Sequence, residues 1–306
     1  MNLPMKTSAR ILLALAAYLV TLAWPPVHAI ADPYDVICCG ADEVFLISEG
    51  SPEIKKWSWR VEQSPTIPPA LRQRFRTTDD CKPYEQGLLL ITSSGGGVAL
   101  IDRETKRCQF LALSTNAHSA CLLPDQQIVV ASSFGGDQVQ FFDRNEQQKP
   151  ATVVQSVALL GAHGTVWDPN RKCLWALGEK ELVSLSADPK ATPQSRWSVQ
   201  SRTPLPSNGG HDLSPLHDGE RLFVTTDTQV LTFHCDKHSF SVADELPDQA
   251  RIKSVDRNRE TGRIVYHQAS TENWWSDVIR FAGGTMLTLS NERLYKVRWD
   301  TPSTLP

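Results

Sequence analysis

Residues 163–185, HGTVWDPNRKCLWALGEKELVSL, contain three short apolar segments that are separated by two polar turns. A histidine begins the first segment, and the turn Asp168-Pro169-Asn170 ends it. Short runs rich in aliphatic and aromatic residues, bounded by Gly, Pro, Asn and Asp, are typical of antiparallel strands. The stretch therefore predicts three consecutive strands, two of them forming a hairpin, with a histidine at the head of the first.

The hairpin recurs along the chain. Each copy has an apolar strand, a turn rich in Gly, Asp, Ser or Glu, and a second apolar strand. The copies are ICCGADEVFLIS (37–48), LLLITSSGGGVALID (88–102), IVVASSFGGDQVQFFD (128–143), CLWALGEKELVSL (173–185), LFVTTDTQVLTF (222–233) and the longer IVYHQASTENWWSDVIRF (264–281). Closely spaced strands of this kind, repeated at a regular period, call for a repeat architecture rather than a single sheet.

Four of the hairpins follow a ten-residue segment that supplies a further strand and a polar turn. These segments are HSACLLPDQQ (118–127), HGTVWDPNRK (163–172), HDLSPLHDGE (211–220) and KSVDRNRETG (253–262). They begin with His118, His163, His211 and Lys253, at spacings of 45, 48 and 42 residues. A looser polar segment after each hairpin can supply a fourth strand.

Four strands in each unit of roughly 40–50 residues predict an all-β fold, a single β-propeller. Six blades fit the length of residues 30–306, which we interpret as one domain, and seven blades are the alternative. The seventh hairpin, TMLTLSNERLYKVRW (285–299), lies too close to the preceding strand to add a blade. We interpret it as the segment that closes the ring, with RLYKVRW pairing with the N-terminal hairpin.

The first 29 residues have the pattern of a secretory signal peptide. Lys6 and Arg10 precede a compact apolar run, and Val27-His28-Ala29 fits a signal-peptidase site. We therefore expect cleavage after Ala29 and a periplasmic or secreted protein; an uncleaved anchor is the alternative. No later segment is long and apolar enough to span a membrane.

Charge and cysteine content restrict the function further. The chain has a formal charge of −3 and no basic block, so nucleic acid is not an expected partner. Seven cysteines form an odd set without zinc spacing. Export would permit disulfides, but the sequence does not assign pairs. We expect a monomer.

The recurring His118, His163, His211 and Lys253 predict a shared polar site. In a propeller the first strand of each blade lines the central channel, so residues that begin successive first strands lie near one another. In the second blade the same count reaches Thr78, beside Asp79 and Asp80. Convergent polar groups in a cavity are a common sign of a binding site. The alternative is that the histidines cap strands or bond to neighbouring loops.

Two kinds of ligand fit this set of side chains. His118, His163 and His211 could bind a divalent metal ion, since imidazole suits zinc, copper, iron or nickel. Lys253 in the same set favours instead an anionic ligand, such as a uronate, sulfate or phosphate group, because a cation beside a metal is repelled. Asp212, next to His211, is expected on the opposite side of its strand.

Three aromatic residues are further candidates. Trp274 and Trp275 lie in the insertion of the sixth hairpin and could stack on a sugar ring, or one of them could pack between blades. Tyr84 could act as a proton donor. The remaining histidines of the mature chain, His217, His234, His238 and His267, fall in turns or later strands and are interpreted as surface or packing residues.

The stretches CCGADEVFLIS (38–48), GAHGTVWDPNRKCLWALG (161–178), GGHDLSPLHDGERLFVTT (209–226) and STENWWSDVIRF (270–281) resemble a family of exported bacterial β-propellers without an assigned function. This resemblance covers essentially the whole mature chain and implies the fold and export. At the level of the fold alone, the chain also resembles propeller polysaccharide lyases of the oligogalacturonate and ulvan type. In those enzymes histidine and tyrosine, sometimes with a metal, remove a proton beside a uronate carboxylate.

Two functional hypotheses follow. In the first, the protein is a lyase that acts on acidic polysaccharide by β-elimination: His163 or His211 is the base, Tyr84 the acid, and Lys253 or a metal neutralises the carboxylate. His118, Asp79, Trp274 and Trp275 would then bind the substrate. In the second, the propeller binds a carbohydrate or a protein without catalysis.

Overall fold

The computed structural model describes residues 34–247 and 249–306, together with Met1. The predicted signal segment, residues 1–29, lies outside the described residues apart from Met1. No helix in the described part of the chain is long and apolar enough to cross a membrane.

The described residues form 24 strands. In chain order they are β1 (Asp35–Gly40), β2 (Glu43–Ser48), β3 (Ser51–Arg60), β4 (Thr78–Tyr84), β5 (Leu88–Ser93), β6 (Gly97–Asp102), β7 (Cys108–Leu113), β8 (Ala117–Leu123), β9 (Gln127–Ser132), β10 (Gln138–Asp143), β11 (Val153–Ala158), β12 (Gly164–Asp168), β13 (Cys173–Leu177), β14 (Glu181–Ala187), β15 (Trp197–Pro204), β16 (Leu213–Pro215), β17 (Arg221–Thr225), β18 (Val230–His234), β19 (Ser239–Val242), β20 (Ile252–Arg257), β21 (Ile264–Gln268), β22 (Val278–Phe281), β23 (Met286–Thr288) and β24 (Lys296–Trp299). Four short 3₁₀ helices accompany them: Val61–Gln63, Pro69–Phe75, Glu85–Gly87 and Pro193–Ser195.

The strands form six antiparallel sheets of four strands each, which confirms the six-bladed propeller. Blade 1 has the order β24-β1-β2-β3, and each later blade contains four consecutive strands, from β4–β7 in blade 2 to β20–β23 in blade 6. The seven-bladed alternative is wrong for the described residues.

The last strand closes the ring as predicted. In β24, Trp299 pairs with Val36 and Lys296 pairs with Cys39 of β1, so the two ends of the described chain share one sheet. The first part of the 285–299 segment does not take part in this closure: Met286–Thr288 forms β23, the outer strand of blade 6. The turn at Gly283-Gly284 is short enough to bring this strand back onto β22, with Phe281 N donating to Thr285 O over 2.9 Å.

The core consists of six apolar clusters, one between each pair of neighbouring blades. Strand β5 shows why the strands read as continuous apolar runs: Leu88 and Leu90 pack against blade 3, while Leu89 and Ile91 pack against blade 1. A strand that is buried on both faces needs apolar residues at every position. All seven cysteines are buried free thiols within this core.

The first strands of the blades surround the axis and run in the same direction. Val297 N and Trp299 N of β24 donate to Ser254 and Asp256 of the neighbouring β20, in the same order along both strands. All first strands therefore begin at one end of the axis and finish at the other. We call the first the ring end and the second the tail end, since residues 301–306 lie at the latter.

Candidate axial site

Six side chains, one from each blade, meet at the ring end of the axis. We call this set the histidine ring, and its members are Tyr295, Asp79, His118, His163, His211 and Lys253, from blades 1 to 6 in that order. The rings of His118 and His163 are 4.3 Å apart between centroids, and those of His163 and His211 are 5.2 Å apart. Lys253 Nζ lies 2.9 Å from His211 Nε2. The four residues found by the repeat are thus brought together as predicted.

Asp79 and Tyr295 complete the histidine ring on the other side of His118. Asp79 Oδ1 is 3.6 Å from His118 Nε2, and the Tyr295 ring meets the His118 ring edge-on at 5.9 Å. The repeat count placed the position of the histidines at Thr78, which is one residue too early in the chain, because Asp79 occupies that position. The sequence analysis did not select Tyr295, although it predicted that its segment forms the first strand of blade 1.

Irregular backbone aims these side chains at the axis. The strand register skips one residue at Asp79, His118 and Lys253, each of which is the extra residue of a bulge. A bulge redirects a side chain that would otherwise continue the alternation of the strand. The shared position is therefore built into the start of several first strands.

A left-handed residue stands two positions before four members of the histidine ring. Asn116, Gly161, Gly209 and Arg251 have φ of 51°, 56°, 78° and 59°. Glycine and asparagine tolerate this conformation best. The small residues that precede the histidines in the sequence are thus explained by the sharp turn that enters each first strand.

Backbone carbonyls determine which nitrogen carries the proton in two of the imidazoles. His118 Nδ1 is 3.1 Å from Asn116 O, and His163 Nδ1 is 2.7 Å from Gly161 O. Because a carbonyl only accepts, both histidines donate from Nδ1, so Nε2 of each neutral ring carries a lone pair. For His163 and His118 this leaves Nε2 as the nitrogen that can accept a proton.

His211 differs because both polar neighbours approach its Nε2. Asp227 Oδ1 and Lys253 Nζ each lie 2.9 Å from this atom. His211 Nδ1 is buried and has no hydrogen-bond partner in the part of the chain that the structure describes. The imidazole can donate to Asp227 or accept from Lys253, but not both at once. His211 is therefore better placed to hold Lys253 than to remove a proton from a ligand.

Burial keeps the histidine ring largely uncharged. Desolvation lowers the pKa of His118 to about 3 and the pKa of His163 well below its usual value. It also lowers the pKa of Lys253 to about 8 and raises the pKa of Asp79 to about 7. Near neutral pH, Lys253 is thus the cation of the histidine ring, and the Asp79 carboxyl in blade 2 is partly protonated.

Two exposed aromatic side chains flank the histidine ring. Trp274 is 52% exposed and its ring lies 5.5 Å from that of Tyr295, while Phe134 is 52% exposed and its ring lies 5.8 Å from that of His163. The prediction of an aromatic side chain beside the site thus fits Trp274. Trp275 instead packs over the guanidinium of Arg293 at 5.0 Å.

Below the histidine ring the axis is filled by a buried ion-pair layer, which consists of Asp80, Lys82, Asp212, Lys296 and Arg298. Arg298 donates to Asp80 Oδ1 over 2.9 Å and to Asp212 Oδ1 over 2.7 Å, and Lys296 Nζ lies 3.0 Å from Asp212 Oδ1. Asp212 thus faces these ion-pair partners rather than the histidine ring. The layer separates the ring end of the axis from the tail end.

Tyr84 is not part of the histidine ring, so the structure does not bring the predicted acid together with the histidines. It ends β4, whereas Asp79 lies near the start of the same strand. Its hydroxyl accepts a hydrogen bond from Leu122 N over 3.0 Å within the core between blades 2 and 3. The tyrosine that lies among the histidines is Tyr295.

The geometry gives the metal hypothesis no support. Among the residues that the structure describes, no group of three or more His, Cys, Asp or Glu side chains is arranged to hold a metal ion. For His118, His163 and His211 the reason is visible, because Nε2 of His211 is already engaged with Lys253 and Asp227. A cation at that position opposes a second one.

Comparisons with known proteins agree on the fold. The model of a family of unknown function, DUF6528, matches residues 25–306. The sequence matches none of the curated proteins. Among solved structures, a candidate 6-phosphogluconolactonase from Bacteroides uniformis ATCC 8492 superimposes with a TM-score of 0.55 at 13% identity, covering 86% of this chain and 81% of that chain. At this identity the likeness concerns the fold alone, and it gives no support to the resemblance to polysaccharide lyases.

Proposed function

Since the chain belongs to DUF6528, a family of unknown function, we propose its role from the axial site: the histidine ring binds an acidic sugar. The observation that carries the proposal is the convergence of Lys253, three neutral imidazoles and Tyr295 at the ring end of the axis, with two exposed aromatic rings beside them. A charged group, several hydrogen-bonding groups and apolar faces are the three features that an acidic sugar requires.

Lys253 is the group that would receive the carboxylate. It is held by His211 at 2.9 Å, and burial lowers its pKa to about 8. An incoming anion favours the protonated amine and raises this pKa, so binding and protonation support each other. The Nε2 atoms of His118 and His163 accept from sugar hydroxyls, which donate to a neutral imidazole as readily as to a carbonyl.

Trp274 and Phe134 would contact the faces of the sugar. Each is about half exposed and rests against a member of the histidine ring, Tyr295 and His163 respectively. An aromatic face offers a flat apolar surface that suits the C–H side of a sugar ring. The two rings lie in the loops of blades 6 and 3, so they could hold sugar units on either side of the axis.

A second candidate function, β-elimination from a uronate polymer, is favoured by the presence of His163 and Tyr295 on either side of His118, whose ring both of them contact. Nε2 of His163 would remove the proton beside the carboxylate, and that electron pair would form the carbon–carbon double bond. The bond to the leaving glycosidic oxygen breaks as Tyr295 donates its phenolic proton to that oxygen. Burial raises the pKa of Tyr295, which keeps the proton in place until an alkoxide develops.

Calorimetric titration with short oligosaccharides tests binding. We expect galacturonate, glucuronate or mannuronate oligomers to bind and the matched neutral galactose oligomers to bind at least ten-fold more weakly. Lys253→Met should weaken binding of the acidic oligomer by about 30-fold, since a buried charge-assisted contact is lost. The exposed Lys237→Met is the matched control. Equal binding of acidic and neutral oligomers, or a Lys253→Met protein with full affinity, would disprove the proposal.

Catalysis is tested separately with the polymers by following the absorbance of unsaturated uronate. If elimination occurs, Tyr295→Phe should abolish it while leaving oligosaccharide affinity within about three-fold, because only the transferred proton is lost. Binding without any product, in correctly folded protein, leaves the non-catalytic binder as the function. A sugar lactone bearing a phosphate, the class suggested by the structural neighbour, belongs in the same panel because it is also an anionic sugar ring.

We also propose a periplasmic or secreted location, because the N-terminal pattern of Lys6, Arg10 and Ala29 fits a signal peptide. The location would bring the histidine ring into contact with acidic polysaccharide outside the cell. Mass spectrometry of the mature N-terminus checks it: cleavage after Ala29 is expected, and an intact Met1 in the exported fraction would contradict it.

A further inference from the structure

The tail end of the axis holds a cavity that the histidine ring does not use. Its volume is about 430 Å³, and it lies between the ends of the first strands and the C-terminal residues 301–306. The segment 301–306 is attached to blade 2 on one side, where Ser303 exchanges backbone hydrogen bonds with Glu85 and Pro83. The cavity therefore has a preformed wall, and its volume lies within the range of small-molecule sites.

One side of this cavity is basic. Arg259 and His217 line it near the surface, and Arg298 and Lys82 line it where it meets the ion-pair layer. Arg298 and Lys82 are balanced by Asp80 and Asp212. The exposed Arg259 has no ion-pair partner among the described residues, so its charge is free for a ligand.

Two carboxyl groups in the same wall do not cancel that charge. Asp168 accepts from Arg171 over 3.0 Å and from Trp175 Nε1 over 3.2 Å, so it is already paired. Asp256 is buried and accepts from Trp299 N over 2.9 Å, and desolvation raises its pKa to about 7. Burial and the neighbouring arginines lower the pKa of His217 to about 4, so near neutral pH it offers hydrogen bonds, and Arg259 is the lining cation that no described side chain neutralises.

Part of the lining is apolar. The indole of Trp167, which is partly buried against Trp197 at 6.3 Å, lines the cavity together with Pro169, Pro215 and Leu222. A planar apolar group can lie against such a surface while its charged substituent reaches the basic side. A lining with a basic part and an apolar part fits an amphipathic ligand.

We propose that the tail-end cavity is a second ligand site, which binds a small anion attached to a flat apolar ring. Arg259 and His217 contact the anion, and Trp167 contacts the ring. The site is independent of the histidine ring, because the ion-pair layer fills the axis between them. It does not rest on the proposed binding of an acidic sugar.

The experiment is a fluorescence titration of the full chain with 8-anilinonaphthalene-1-sulfonate, an aryl sulfonate. The neutral N-phenyl-1-naphthylamine is the matched probe without the anion. We expect saturable binding of the sulfonate that Arg259→Gln weakens about five-fold, as the loss of one partly exposed charge contact predicts. His217→Asn should act in the same direction; asparagine tolerates the positive φ of 62° at this position.

Matched variants make the result decisive. Arg107→Gln removes an exposed arginine that does not line the cavity and should leave sulfonate affinity unchanged. Lys253→Met, in the histidine ring, should also leave it unchanged, and neither variant should alter binding of the neutral probe. The proposal is overturned if Arg259→Gln and His217→Asn bind the sulfonate as the parent does, or if Lys253→Met is the variant that loses it. Unfolding midpoints confirm that the exposed substitutions leave the fold intact.

Discussion

The histidine ring and the ion-pair layer lie one above the other on the same first strands, yet they are built in opposite ways. In the ion-pair layer, Arg298 and Lys296 are almost completely buried and bond to carboxylates on two other blades. In the histidine ring the imidazoles are neutral, and among the described residues Lys253 has only an imidazole nitrogen within hydrogen-bond distance. The charges of the ion-pair layer pair with one another, while the histidine ring keeps hydrogen-bonding groups that a ligand could use.

This difference helps to distinguish buried polar residues that stabilise the fold from those that bind a ligand. Both layers come from first strands, and both contain lysines and aspartates at neighbouring positions, such as Asp79 beside Asp80. What distinguishes them is the number of opposite charges around each charged group and the exposed aromatic side chains, Trp274 and Phe134, that flank the histidine ring. The substitutions below should therefore change stability in one layer and ligand binding in the other.

The largest effect should follow from Arg298→Met in the ion-pair layer. The guanidinium bonds to Asp80 and Asp212, so its removal leaves two buried carboxylates with lysines as their remaining cationic partners. We expect the free energy of unfolding to fall by about 3–5 kcal/mol, as measured by chemical denaturation. The control is Arg103→Met, which breaks a more exposed pair with Asp300 and should cost about 1 kcal/mol. Equal losses in both variants would contradict the distinction between the layers.

The buried imidazole of His118 should make the stability of the protein depend on pH. An unfolded imidazole binds a proton near pH 6.5, whereas burial lowers the pKa of His118 to about 3. Between these values the unfolded state binds more protons, so stability falls as the pH falls. His118→Gln should reduce this slope by up to about 1.4 kcal/mol per pH unit, as denaturation from pH 6.5 to 4.5 would show.

Asp79 should change the pH dependence of stability in the direction opposite to His118. Burial raises the pKa of its carboxyl to about 7, above the unfolded value near 3.9, so between these values the folded state binds more protons. Its contribution therefore increases as the pH falls, and Asp79→Asn should make the decrease in stability steeper. A slope that is unchanged in both variants would mean that these groups are not buried as a set.

Lys253→Met should make the protein more stable by about 1 kcal/mol at pH 7. Burial lowers the pKa of this amine to about 8, so below pH 8 the fold carries the full cost of its charge. That cost disappears as the pH rises toward the unfolded pKa near 10.4, where the stabilities of variant and parent should converge. Thermal unfolding at pH 7 and pH 10 measures the difference. A loss of more than about 1 kcal/mol at pH 7 would show that Lys253 serves the fold.

The smallest change in stability is expected at the flanking aromatic residues. Trp274→Ala and Phe134→Ala should alter the free energy of unfolding by less than about 0.5 kcal/mol, because both side chains are about half exposed. Affinity for the acidic oligosaccharide should fall about five- to ten-fold, since stacking contributes about a kilocalorie per ring. Val242→Ala, an equally exposed apolar residue on the outer strand β19, should change neither quantity.

Most of the fold could be predicted because strands buried on both faces leave a strong pattern. Runs such as Leu88–Ser93 are apolar throughout, and the turns between them carry Gly and Asp. Pairing of Lys296–Trp299 with the first hairpin also followed from the repeat. The assignment of Met286–Thr288 failed, because a three-residue strand on an outer edge has too few apolar residues to mark it.

The candidate site was predictable only in part. His118, His163, His211 and Lys253 share a position in the repeat, so a count along the chain found them. Tyr295 was missed because its strand belongs to blade 1 but comes last in the sequence, which removed it from the comparison. Asp227 reaches His211 from a loop, and no repeat position points to it.

The sequence by itself determined the propeller fold, the closing strand and four of the six positions that face the axis, because each depends on a short pattern that recurs along the chain, while the choice of six blades over seven came from the structure. Only the tertiary structure decided which polar residues pair with one another, since Asp80, Asp212 and Arg298 are far apart in the chain and meet across the axis. The physical reason is that burial and the distance to an opposite charge decide whether a side chain is neutral, paired or unpaired. Both are properties of the folded propeller.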